Sequence, residues 1–171
     1  MSAKRTADDW IQALDLQPHP EGGFFREIYR AGEKIGQAAL PPRYAGERCF
    51  STSIYFLLAS GQVSRLHRLR SDEIWHFYEG SPVVVHTFRP GGAYAAITLG
   101  RDASAGQVFQ TVVGAGWWFG AEVPTPDSFA LVGCTIAPGF DFDDFEPGRR
   151  EDLLAAFPAH REIITRLTLR N

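Results

Sequence analysis

From residue 23 to residue 137 the chain offers one short β-rich run after another, with no long helical pattern between them. The runs span 24–29, 49–58, 63–69, 73–78, 83–88, 93–99, 108–113, 117–121 and 129–136. Ser60-Gly61, Glu79-Gly80-Ser81-Pro82, Arg89-Pro90-Gly91-Gly92 and Pro124-Thr125-Pro126-Asp127 mark turns among them. Parallel neighbours need a connection of about a dozen residues or more, so these strands must pair antiparallel. The expected fold class is all-β with short flanking helices, arranged as a barrel or jelly roll.

The flanks read differently. Residues 6–16 predict a helix, with Thr6 as its cap, Asp8 and Asp9 in the positive first turn, and Trp10, Ile11 and Leu14 as an apolar stripe. Pro18-His19-Pro20-Glu21-Gly22-Gly23 then forces an irregular loop. Beyond the strands, Phe140-Asp141-Phe142-Asp143-Asp144-Phe145-Glu146 is an acidic loop with three aromatic anchors, its carboxylates expected in solvent. Residues 149–167 predict helices. One domain covering 1–171, with its barrel at 23–137, accounts for the whole chain.

Composition excludes several partners. Seventeen Lys and Arg against 20 Asp and Glu leave a net charge of −3, so no basic field gathers nucleic acid. No apolar run reaches the roughly 18 residues of a spanning helix, and Met1-Ser2-Ala3-Lys4-Arg5 lacks the apolar stretch of a signal peptide. The expectation is a cytoplasmic protein without membrane contact. Cys49 and Cys134, far apart in apolar runs, read as reduced buried thiols.

One spacing carries chemistry. Gly61, His67, Leu69, Glu73 and Gly80 stand in a pattern that places residues 67 and 69 on one strand face, and a tight turn at 70–72 would return Glu73 on a neighbouring strand. His67 and Glu73 are expected to meet inside the barrel, with the imidazole as general base and Glu73 orienting it; the alternative is a buried pair that only satisfies itself. Tyr55 is a candidate acid partner. By alternation Trp75 and Phe77 point inward with Glu73, leaving His76 and Tyr78 outside as dimer candidates, while Trp117 and Phe119 supply flat apolar cavity walls. Arg26, after the glycine loop, is a candidate anion clamp or a salt-bridge partner. Ser51, Ser53 and Tyr55 share one strand face, and Thr52, Ile54 and Phe56 the other; which looks inward is open. Ser53 and Gln110 are further ligand-binding candidates. Ser64 is expected opposite to His67, Arg68 outward, and His19 and His160 on the surface; His86 is left open.

The Gly61-to-Gly80 pattern resembles the first motif of the cupin superfamily, Gly-x5-His-x-His-x3-4-Glu-x6-Gly, except that Leu69 replaces the second His. The family's second motif falls on Gly114-Ala115-Gly116, Trp117-Trp118 and Phe119, with Gly114 for its Pro, Phe119 for its metal-binding His and Val123 for its Asn. Of the family's three-His, one-Glu metal set, only His67 and Glu73 are present, so the resemblance leaves a divalent metal as a possible cofactor without implying a full site. The runs 19–27, 51–58, 71–78 and 131–142 resemble a narrower group of cupins, domain of unknown function 985. That resemblance implies a double-stranded β-helix, commonly a homodimer. It leaves three readings: an isomerase, epimerase or cyclase without metal acting on a sugar-like or small polar molecule, as sugar-nucleotide epimerases of the same barrel do; a small-molecule binding module; or an enzyme using Fe, Mn, Ni or Zn.

Overall fold

The computed structural model describes residues 5–169, so the expectation resting on residues 1–4 lies outside the described residues. In chain order the strands are β1 (Gln17–Pro18), β2 (Phe24–Arg30), β3 (Lys34–Ile35), β4 (Arg48–Cys49), β5 (Thr52–Ala59), β6 (Val63–Arg68), β7 (Asp72–Gly80), β8 (Val83–Phe88), β9 (Tyr94–Leu99), β10 (Gln110–Val113), β11 (Trp118–Glu122), β12 (Phe129–Ala137) and β13 (Glu146–Pro147). They form a six-stranded sheet in the order β1-β2-β5-β12-β7-β10 and a five-stranded sheet in the order β13-β6-β11-β8-β9, with β3-β4 as a separate ribbon. These strand pairs are antiparallel. The fold is a jelly roll of two facing sheets.

Alternation decides what fills it. Phe56, Leu58, Trp75, Phe77, Val132 and Cys134 point inward from the first sheet and meet Val83, Val85, Phe119 and Ala121 from the second. The outer faces are covered at two places. Helix α1 (Ala7–Ala13) lays Trp10, Ile11 and Leu14 over Leu57, Phe129 and Leu131. Helices α2 (Arg150–Ala156) and α3 (Arg161–Arg166) cover Leu66 and Phe88 with Leu153, Ile164 and Leu167. Among the described residues, no helix is long and apolar enough to cross a membrane.

Several expectations shift by a few residues for local reasons. Thr6 caps α1 through a capping box with Asp9, but Asp15 sits at φ 51°, which ends the helix short of residue 16. The run 49–58 divides in two, because Arg48–Cys49 pairs with Lys34–Ile35 while Thr52–Ala59 joins the large sheet. In the run 108–113 only Gln110–Val113 lies in the sheet; Val108 makes an isolated bridge to Leu99.

Two corrections bear on the site. β6 and β7 lie in different sheets, so residues 69–71 cross between sheets rather than turning a hairpin, and His67 and Glu73 approach from opposite walls. In β6, His67 pairs with Phe119 and Ser64 with Ala121, three residues against two. This bulge at Arg65 and Leu66 returns Ser64 to the inner face shared with His67, against simple alternation.

The acidic loop is not a solvated run throughout. Asp144 is buried and takes two hydrogen bonds from Arg48, Nε and Nη2 each at 2.6 Å. The Phe140 amide donates to Thr52 Oγ1 at 3.0 Å and its carbonyl accepts from Arg30 at 3.0 Å. Both ends of the loop are therefore tied down, with Phe140 and Phe145 turned toward the barrel core. Removing one partner of a buried ion pair leaves the other charge without compensation. Asp144→Ala is expected to cost about 3–5 kcal/mol in urea-unfolding free energy. Exposed Asp143→Asn is expected to stay within about 0.5 kcal/mol.

Candidate active site

At one end of the barrel the sheets leave a cavity of about 140 Å³. Its polar wall consists of His19, Glu21, His67, Glu73 and Cys134; Phe25, Ile54, Leu69, Ile136 and Phe145 make the apolar wall. Glu27, Arg30, Phe140 and Phe142 also line it, Phe142 being 68% exposed and thus at the mouth.

His67 comes from β6 beside the bulge. Its ring lies 4.0 Å from the Phe119 ring and 5.5 Å from that of Phe145, centroid to centroid. Nδ1 stands 2.7 Å from the Arg65 carbonyl oxygen and 3.0 Å from Glu21 Oε1. The carbonyl lies in the N–H direction, whereas Glu21 Oε1 is a close charge without hydrogen-bond alignment. A carbonyl only accepts, so Nδ1 keeps its proton and the neutral ring presents its lone pair at Nε2. Burial opposes charge on this imidazole, but the carboxylates of Glu21 and then Glu73 outweigh it and hold its pKa above the ordinary value.

Glu21 was not foreseen as a site residue. A carboxylate between Pro20 and two glycines reads as surface, yet it is 7% exposed. The loop that carries it packs against β6: Arg65 N–H donates to the Glu21 carbonyl at 3.1 Å, and a Cβ on Gly22 would stand 2.2 Å from the Val63 carbonyl oxygen. Gly22 and Gly23 have φ of 105° and 73°, which glycine alone adopts at little cost. His19, expected on the surface, lines the cavity, with its ring edge-on to Phe25 at 4.7 Å. Its Nδ1 accepts from Glu21 N–H at 3.2 Å, and burial holds its pKa down despite the Glu21 charge.

Glu73 enters from β7, 6% exposed, and its Oε2 has no hydrogen-bond partner. Burial pushes its pKa to about 7, the nearby His67 charge offsetting part of the effect. The Cys134 thiol lies beside it and is pushed well up by burial.

The other candidates are dispersed. Trp75 and Phe77 point inward as alternation requires, but with Phe119 they fill the core away from the cavity. Trp117 is half-buried, stacked under Arg89 at 4.3 Å. On β5 the inward face belongs to Thr52, Ile54 and Phe56. Ser53 and Tyr55 therefore point outward, Ser53 toward Thr135 and Tyr55 toward Tyr78, with ring centroids 6.1 Å apart, so Tyr55 is no acid partner to His67. Gln110 is exposed on edge strand β10. Arg26 points outward to the Leu14 carbonyl; a bulge between Glu27 and Tyr29 turns Arg30 to the cavity instead, paired with Glu27 at 2.9 and 2.7 Å. His86 lies under the C-terminal helices between Tyr94 and Glu122, and His160 packs on Tyr94.

The donor set does not fit a resident metal ion. Leu69 and Phe119 occupy the places of two motif histidines, which leaves His67 Nε2 and the Glu73 carboxyl as the remaining motif donors. Among the described residues, no three His, Cys, Asp or Glu side chains group to hold an ion, where catalytic sites supply about three.

A two-sheet jelly roll with an inward His and Glu at this spacing defines the cupin class. The chain belongs to the cupin superfamily family DUF985, whose model matches residues 8–147. It is 30% identical over 166 residues to the uncharacterized protein YML079W of Saccharomyces cerevisiae, covering 90% of this chain and 78% of that one. The crystal structure of protein SO0799 from Shewanella oneidensis is 40% identical, with a TM-score of 0.87 over 98% of this chain and 100% of that one. Oxalate decarboxylase of Bacillus subtilis, a protein with Mn(II) centres, shares only the fold: 15% identity and a TM-score of 0.55, over 92% of this chain and 38% of that one.

The raised Glu73 pKa sets a pH dependence. Between the ordinary 4.5 and about 7 the folded state binds more protons than the unfolded chain, so stability falls as pH rises through that window. His67, also raised, acts in the same direction above 6.5. Glu73→Gln is expected to be more stable than wild type at pH 8 by roughly 3 kcal/mol, the gap closing toward pH 4.5 in urea titrations.

Proposed function

We propose that the cavity binds a small molecule and moves a proton on it, an isomerase-type reaction run by His67 and Glu73. One observation carries the reading: a carboxyl whose Oε2 makes no hydrogen bond and whose pKa is about 7, and an imidazole whose Nε2 makes none among the described residues, line the same apolar cavity from opposite sheets. Groups that titrate near neutrality suit general acid–base work. Ionised Glu73 takes a proton from an acidic carbon, the C–H electron pair staying on the ligand as its conjugate base. Imidazolium His67 returns a proton from Nε2 at another position, and transfer from Glu73 to His67 restores both groups. Substrate and product are isomers, so no co-reactant is required. Epimerisation and cyclisation use the same two groups.

The cavity limits the substrate. Its volume of about 140 Å³ matches the roughly 150 Å³ engineered cavity that takes benzene. A sugar ring fits poorly, because its hydroxyls would face phenylalanine and aliphatic walls unpaired. Those same walls favour the second reading, a binding module without chemistry. The proposal places the protein in the cytoplasm as a homodimer, joined through the outer face of the six-stranded sheet. There Tyr29, Ser53, Thr135, Ile74 and Val112 form one row in register, with Tyr29 and Val112 54% and 51% exposed. Light scattering at twice 19.0 kDa supports the dimer, and a monomer at high concentration removes it.

Small aldehydes, ketones and amino ketones that raise the melting temperature are expected to acquire deuterium at one carbon when incubated with the protein in D2O, read by NMR. His67→Gln is expected to slow that exchange roughly 100-fold while the protein stays folded. Stabilising ligands that all return unlabelled would replace this reading with the binding module.

A further inference from the structure

The charges around the cavity do not balance. Glu21 and Glu73 bring two buried carboxyls, 7% and 6% exposed, and against them stands His67, 3.0 Å from Glu21, the one lining cation not committed to a group outside this pair among the described residues. Arg30 is neutralised by Glu27 in a two-pronged pair at the mouth. His19 accepts a backbone N–H at Nδ1, as a neutral ring does. With both carboxylates ionised and His67 protonated, the cavity carries one surplus negative charge. An uncompensated buried charge is costly, so what enters is favoured if it brings one positive charge.

Hydrogen bonding shows the same deficit. Glu21 Oε1 and Glu73 Oε2 are both buried without a donor. Both are acceptors on the wall of one cavity; the Cys134 thiol and the Trp75 indole N–H lie beside Glu73, but neither completes a hydrogen bond to Oε2. A carboxylate ligand would meet like charge there, and an ether, or a carbonyl compound without an amino group, would leave the two acceptors without donors. The remaining wall is apolar, with the rings of Phe25, Phe140 and Phe145 beside Ile54, Leu69 and Ile136, and ring faces attract cations.

We infer that the ligand of this cavity is a small organic cation, an amine or amidine on an apolar body of about benzene size, whose N–H groups meet Glu21 and Glu73. An ammonium brings three donors and one charge, supplying both missing quantities at once. The inference rests on the cavity being the binding site proposed above and adds the class of molecule it takes. It also gives Glu21 a role in binding, distinct from proton transfer.

The test is calorimetry at pH 7.5 with two matched series: benzylammonium, benzyl alcohol and benzoate, then propylammonium, propanol and propionate. In at least one series the ammonium is expected to bind about tenfold or more tightly than its neutral and anionic counterparts. Glu21→Gln and Glu73→Gln are each expected to weaken the ammonium about tenfold while leaving the alcohol unchanged. Binding should also release a proton, seen as a heat that depends on the buffer, because the cation takes over the charge that Glu73 otherwise neutralises by protonation. The groups facing that carboxyl are His67, Glu21 and Cys134, with His19 behind Glu21 and the Glu27–Arg30 pair at the mouth. An alcohol or carboxylate that binds as tightly as the ammonium overturns the inference, and so does binding by none of the six. Neither result touches the proton-transfer reading, which stands or falls on deuterium incorporation.

Discussion

The site exists because the chain changes sheets between His67 and Glu73. Had residues 69–71 closed a hairpin, both side chains would hang from one sheet and share one hydration environment. Instead β6 carries the imidazole on one wall and β7 the carboxyl on the other, and the sheets bury both at 5% and 6% exposure. Burial then sets the chemistry. The same desolvation that lifts the Glu73 carboxyl to about 7 makes each remaining charge felt strongly, so Glu21 can hold the imidazole pKa up against burial.

The bulge in β6 organises the second half of the arrangement. Its displaced backbone groups cannot pair with β11, and they find other partners: the Arg65 amide takes the Glu21 carbonyl, the Leu66 amide takes the Leu167 carbonyl, and the Arg65 carbonyl takes His67 Nδ1. One irregularity therefore docks the glycine loop, ties the C-terminal segment and orients the imidazole. On the far side, Arg48 and Arg30 hold the acidic loop so that its phenylalanines close the cavity.

Much of this was legible in the chain. The central strands, the flanking helices and the inward set of Glu73, Trp75 and Phe77 follow from turn residues and a period of two. Parity failed wherever the period was broken or undecided. Ser53 and Tyr55 share a face correctly, but a single strand does not say which face is inner. Ser64 was misplaced because the bulge at 65–66 reverses the alternation, and the bulge at 27–29 brings Arg30 to the cavity where position after the glycine loop had suggested Arg26. Glu21 and His19 sit in a Pro- and Gly-rich loop, where local sequence signals exposure and only tertiary packing produces burial. Two-residue strands such as β1 and β13 carry no periodicity to read.

The tautomer of His67 has a consequence for how the protein tolerates change. Its proton is fixed by a main-chain oxygen, which every amino acid provides, rather than by a side chain that a point mutation removes. Replacing Arg65 removes its side-chain bond to the Pro20 carbonyl but not the atom that orients the ring. The polarity of the imidazole is thus encoded in the path of the backbone, robust to drift in nearby side chains and vulnerable instead to an insertion or deletion that irons the strand flat.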